Sequence, residues 1–173
     1  MENEMKINQE ILGYFKEESA QVLKELNEIV NSLDAPHKEF PSRLLEDFSQ
    51  KIDRIMGASK TIGLEIPDHL GLQRIGKLAE LCKLLGYKAA EKKVSQFVPI
   101  YAAFWGDTLE VIENLLSSVE DLEKTEKIVK SFSAVLQKRL EWLLTRVEPK
   151  KAAATVTEHV NQVQDLLKSL GLE

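Results

Sequence analysis

The chain is 173 residues long, the length of one ordinary domain or of a domain with an appendage, and folding at that size buries about 70% of the unfolded chain's surface. Apolar residues at 43% and charged residues at 29% exclude the composition of a disordered segment. A net charge of −5 argues against nonspecific binding to nucleic acid or to an anionic membrane, both of which need a dense basic patch, and favours protein partners.

Helical periodicity runs almost end to end, and no alternating stretch bounded by turns reads as a strand, so the sequence predicts an all-α protein. In the first segment Phe15, Ser19, Val22, Leu26, Ile29 and Leu33 recur every three or four positions, opposite Glu17, Lys24, Glu25 and Glu28. The prolines of "DAPHKEFP" break that pattern and predict a connecting loop. Ser42 then caps a second helix with the seam Leu45, Phe48, Ile52, Ile55, Ser59 and Ile62, closing at Gly63. Pro67 and Asp68 suit the first turn of a third helix carrying Leu72, Ile75, Leu78, Leu81 and Leu85 to Gly86, a hairpin partner of the second.

A fourth segment spans about Tyr87 to Ser118, with Pro99 expected to kink or divide it beside Phe97, Tyr101, Phe104 and Trp105, an aromatic run read as core. A fifth, about Leu122 to Val147, repeats Val129, Phe132, Leu136, Leu140, Leu143 and Val147. "VEPKKAAAT" separates a last helix with Val156, Val160, Val163, Leu167 and Leu170, ending at Gly171. The predicted architecture is an antiparallel bundle of four principal helices over residues 1–120, extended by one or two C-terminal helices over 121–173 that pack on or next to it.

The single cysteine, Cys82, reads as a small buried hydrophobe; it cannot form an intramolecular disulfide, and the absence of any CxxC or Cys/His cluster leaves no expected metal or cofactor. The opening "MENEMKINQE" lacks the order of a signal peptide, and the longest apolar run, "FVPIYAAFWG", is about half of the ~20 residues that span a bilayer. A cytoplasmic protein is expected. His37 in the proline loop, His69 in a first helical turn and His159 beside the last seam read as structural or solvated.

The stretch "IDRIMGASKTIGL", Ile52 to Leu64, resembles the central motif of histidine-containing phosphotransfer (Hpt) domains, A-H-x-L-K-G-x-x-x-x-x-G. Asp53 falls on the phosphorylated histidine, Ile55 on the apolar position, Met56 on the lysine, Gly57 on the motif glycine, Lys60 on a frequently basic position and Gly63 on the last glycine. "YFKEESAQVLKELNEIV" is similar to the acidic, leucine-repeating first helix of Hpt domains in chemotaxis kinases, so the resemblance covers about residues 8 to 118 and leaves the C-terminal third outside.

The resemblance implies an Hpt-type bundle, but phosphotransfer needs a neutral imidazole as nucleophile and benefits from a nearby cation, and Asp53 and Met56 supply neither. The expectation is a degenerate, noncatalytic Hpt-like adaptor that binds a response-regulator receiver domain or a related bacterial two-component or chemotaxis protein. Its predicted docking residues are Gln50, Asp53, Arg54, Met56, Gly57 and Lys60, of which Gln50, Asp53, Gly57 and Lys60 form one stripe at helical spacing. Two alternatives stay open. Asp47 and Gln50 resemble the acid/amide pairs of some response-regulator phosphatases, in which an amide orients an attacking water, and the C-terminal helices of an unrelated bundle could serve a scaffold contact or self-association.

Overall fold

The computed structural model describes residues 2–131, 136 and 139, with the side chains of 3–7 excepted. Four long helices follow in order, α1 (Glu2–Asp34), α2 (Ser42–Glu65), α3 (Leu70–Lys92) and α4 (Val98–Ser117), with a short 3-10 turn at Ser95–Phe97 leading into α4. Residues 122–131 are again helical, and no strand occurs among the described residues.

The helices form an antiparallel bundle in which α1 packs on α2 and α4, and α3 packs on α2 and α4. Side chains at matched heights give the directions. Glu25 pairs with Lys51 between α1 and α2, and Lys16 with Glu120 at 3.5 Å just beyond the end of α4. Asp53 meets Lys83 between α2 and α3, and Thr108 of α4 lies against Cys82 of α3.

Burial follows the sequence seams closely, because a helix hides one face at its own period. Phe15, Ser19, Val22, Leu26, Ile29 and Leu33 of α1 are all buried, as are Leu45, Phe48, Ile52, Ile55 and Ser59 of α2 and Leu72, Ile75, Leu78, Leu81 and Leu85 of α3. The aromatic run is core: Trp105 stacks on Phe48 at 4.1 Å between ring centroids and on Tyr101 at 5.8 Å.

The helix ends depart from the expectations. α2 continues through Gly63 to Glu65 and stops because Ile66, which precedes Pro67, is forced out of the helical region at φ −127° and ψ 70°. α3 starts at Leu70 rather than Pro67: His69 takes the cap position, and its Nδ1 accepts from the Leu72 N–H at 3.2 Å. α3 then runs past Gly86 to Lys92 and ends at Lys93, whose φ of 53° is left-handed. Pro99 does not kink a helix. It lies in the first turn of α4, where its missing N–H leaves no bond unmade.

Gly86 is a contact residue instead of a stop. A Cβ there would collide with Ser49 Oγ and lie 3.4 Å from the Leu45 carbonyl, so α2 and α3 approach almost backbone to backbone. Gly76 repeats the arrangement one end of the hairpin further on, where a Cβ would lie 3.1 Å from Ser59 Oγ. Ser49 uses the proximity, donating from Oγ to the Leu45 carbonyl at 3.0 Å and reaching the Lys83 carbonyl at 3.5 Å.

Beyond α4 the chain turns back onto the bundle. His69 Nε2–H donates to the Val119 carbonyl at 2.5 Å, and Thr125 Oγ1 donates to the Ser118 carbonyl at 2.7 Å. A Cβ on Gly71 would lie 2.6 Å from Thr125 Cγ2, so this contact also depends on a bare backbone. Asp121 caps the next helical stretch, accepting from the Lys124 N–H at 3.1 Å; Leu136 is buried in the core, and Arg139 pairs with Asp107 of α4. The expected seam residues Phe132, Leu140, Leu143 and Val147 and the whole predicted last helix lie outside the described residues.

Gly86→Ala should cost about 1–3 kcal/mol in urea unfolding, because the methyl group overpacks the α2–α3 contact. Ser49→Ala should recover most of that cost in the double variant. Gly57→Ala, with no atom within 4 Å of its Cβ position, should instead stabilise by about 0.5–1 kcal/mol.

Candidate functional site

Because Ile52 and Ile55 point into the core, the residues between and beside them are carried toward the outer side of α2. Gln50, Arg54, Gly57 and Lys60 are exposed, and Asp53 is half-exposed. Met56 is the exception among the expected residues. It is half-buried and packs against the core, so it contributes filling more than surface.

The close approach of α2 and α3 brings a second set of residues to this face. Lys83 Nζ donates to Asp53 Oδ1 at 2.7 Å, and Lys60 Nζ lies 3.2 Å from Glu80, which also receives Lys77 at 3.7 Å. The stripe is therefore tied across to α3 by two ion pairs of opposite polarity, an α2 acid on an α3 base and an α2 base on an α3 acid. Gly57 lies between them with open space above its Cα. Tyr87, one turn beyond Lys83, is exposed on the same side of α3 and contributes to the field at Lys83.

The hydrogen bond to Asp53 raises the Lys83 pKa, with the Asp53 charge adding to it and partial burial opposing. A protonated amine is no nucleophile, so the pair is a fixed charge arrangement at neutral pH. On the α1 side of α2, Lys51 bonded to Glu25 lowers the Glu25 pKa, and the nearby Arg54 charge acts in the same direction.

The alternative acid/amide pair lies on the same helix, Asp47 half-buried and Gln50 exposed. No histidine reaches the α2 face among the described residues: His37 is exposed in the loop after α1, His69 is buried as a cap, and His159 lies outside the described residues. Cys82 is fully buried and burial pushes its thiol pKa up, which leaves it unreactive. Among the described residues there is no cluster of three or more metal-ligating side chains, and no helix is long and apolar enough to cross a membrane.

The sequence alone does not single out Lys83 and Tyr87. Their helical face is readable from the Leu81 and Leu85 period, but which α3 residue meets Asp53 depends on the register of two helices. The signal for that register is the pairing of Gly76 and Gly86 with Ser59 and Ser49 at matching separations along α3 and α2.

No protein-family model matches the chain, and no curated protein or solved structure is significantly similar to it.

Because its folded-state pKa is raised, Lys83 contributes stability that is complete below the unfolded lysine value near 10.4 and is lost as pH rises through the folded value. The pair is partly solvated, so Asp53→Asn should cost only about 0.2–1 kcal/mol at pH 7 and nothing at strongly alkaline pH. In a lysine side-chain NMR titration the Lys83 midpoint should fall in Asp53→Asn.

Proposed function

We propose that the protein is a noncatalytic, degenerate Hpt-like adaptor that binds a response-regulator receiver domain or a related two-component or chemotaxis protein through the outer face of α2 and α3. One observation carries this reading: the residue at the motif histidine's position, Asp53, stands half-exposed in mid-helix with its charge matched by Lys83, one turn from a glycine with nothing above it. Such a face offers an approaching surface a fixed pattern of charge and a site of close approach. It offers a phosphoryl group no neutral nucleophile.

The antiparallel bundle and the placement of Gln50, Arg54 and Lys60 on the exposed side of α2 support the same reading. Met56, which stands where the resembled motif has a lysine, leans on the core, so the cation nearest Asp53 comes from α3. The face thus keeps the outline of a docking surface while the groups that phosphotransfer uses are replaced.

The test is titration of purified receiver domains from the source cell against the full chain, with Gly57→Arg as the probe of the face. Arginine is a better helix former than glycine, so stability should hold or rise while its bulk obstructs the partner. Binding should weaken about 5- to 150-fold, or ~1–3 kcal/mol. Incubation with a phosphorylated receiver should leave no stable label on any histidine. Substoichiometric acceleration of receiver dephosphorylation that disappears in Gln50→Ala would replace the adaptor reading with the phosphatase one.

A further inference from the structure

Where the proposed docking face ends, at Lys60, an open groove of about 520 Å³ begins between the last turns of α2 and the first turns of α3. Leu72 lies in its floor with no exposure, while Leu64 and Leu70 stand on its sides 82% and 48% exposed. Lys60, Arg74 and Lys77 supply its charges, and no acidic residue lines it. That is a local reversal in a chain with 28 acidic and 23 basic residues. Glu80 at one end is shared by Lys60 and Lys77, one carboxylate between two ammonium groups.

The groove is held open by rigid parts. Gln73 Nε2 donates to the Pro67 carbonyl at 2.6 Å, which pins the loop between the helices, and His69 fastens the start of α3 to the turn after α4. An exposed leucine on a pinned helix end is surface that water hydrates poorly and that a partner can cover without first ordering it.

We propose that this groove receives an acidic amphipathic helix from a partner protein, with leucine-like side chains against Leu64, Leu70 and Leu72 and flanking carboxylates toward Lys60 and Lys77. The chemistry separates this occupant from others. Nucleic acid would satisfy the cations but leave Leu64 uncovered at the rim, and its phosphates need a wider basic surface than these residues make. A symmetric pair of grooves would set the lysines of one copy against those of the other. An acidic helix meets both requirements at once, apolar residues at three- and four-residue spacing and negative charge on either side. The groove shares Lys60 with the α2 face of the adaptor reading but otherwise lies beyond it, and it does not depend on that reading.

The probe is a fluorescein-labelled peptide of about five helical turns, with leucines at that spacing and glutamates beside them, titrated with the full chain and followed by anisotropy. Saturable binding that weakens as salt is raised from about 50 to 200 mM is expected, with a lysine-for-glutamate peptide at least about 10-fold weaker. Leu64→Ser and Lys77→Glu should each weaken the acidic peptide about 10-fold or more with the fold intact by circular dichroism, whereas Gly57→Arg should leave it unchanged. Equal binding of both peptides, no binding, or binding indifferent to Leu64→Ser would overturn the proposal. So would two results that give the groove to another occupant: a dimer in sedimentation that Leu64→Ser dissociates, or an intrachain disulfide between Leu64→Cys and Val163→Cys.

Discussion

The near contact of α2 and α3 backbones at Gly86 and Gly76 governs what the rest of the molecule presents. Two helices with ordinary side chains between them lie about 8–10 Å apart and admit several registers of similar packing quality. Here Ser49 fits over Gly86 and Ser59 over Gly76, and a shift by one helical turn would set both serines over residues that carry a Cβ. With that register set, Asp53 arrives opposite Lys83 and Lys60 opposite Glu80. The ion pairs are partly solvated and individually weak, so they are consequences of the register more than its cause.

How much of this was legible in the sequence depends on what kind of information each feature requires. The seams of α1, α2 and α3 could be read residue by residue, because burial of a helix face depends only on period and polarity. The ends could not. A glycine that terminates a helix and one that admits a neighbouring backbone look alike, so Gly63 and Gly86 read as stops, while the actual terminators were Ile66 ahead of Pro67 and a left-handed Lys93. His69 as an N-cap was equally hidden, since the usual caps are small oxygen-bearing side chains, whereas here an imidazole also bonded to Val119 takes the position. On the candidate face the α2 half followed from its spacing. The α3 half needed tertiary register, which no single helix encodes.

His69 also explains how the end of the hairpin is kept in order. Nδ1 accepts from Leu72 while Nε2–H donates to Val119, a pattern met by the neutral ring with its proton on Nε2. Around it Ser118 and Thr125 share hydroxyl and carbonyl bonds, and Gly71 leaves room for the Thr125 methyl group. Burial of these polar groups is tolerable because each has a partner, and the network joins the start of α3, the end of α4 and the helical stretch after it. The groove beside Leu64 therefore opens from a braced end of the bundle.

Gly57 is exposed on α2, and packing within the molecule does not explain it. Its neighbours on α2 are good helix formers, nothing approaches its Cα, and in an exposed helix interior a glycine forgoes roughly 1 kcal/mol relative to alanine. Gly71, Gly76 and Gly86 each have a contact that a methyl group would disturb; Gly57, like Gly13 and Gly63, has none within the molecule. On the adaptor proposal, that local sacrifice of stability would serve the close approach of an outside surface. The side chains on either side are already held, Asp53 by Lys83 and Lys60 by Glu80, so a partner settling over Gly57 would have fewer rotamers to freeze, at roughly 0.5–1.5 kcal/mol for each one spared. On the adaptor proposal, an open glycine between two braced charges would account for both the cost inside the helix and a use outside it.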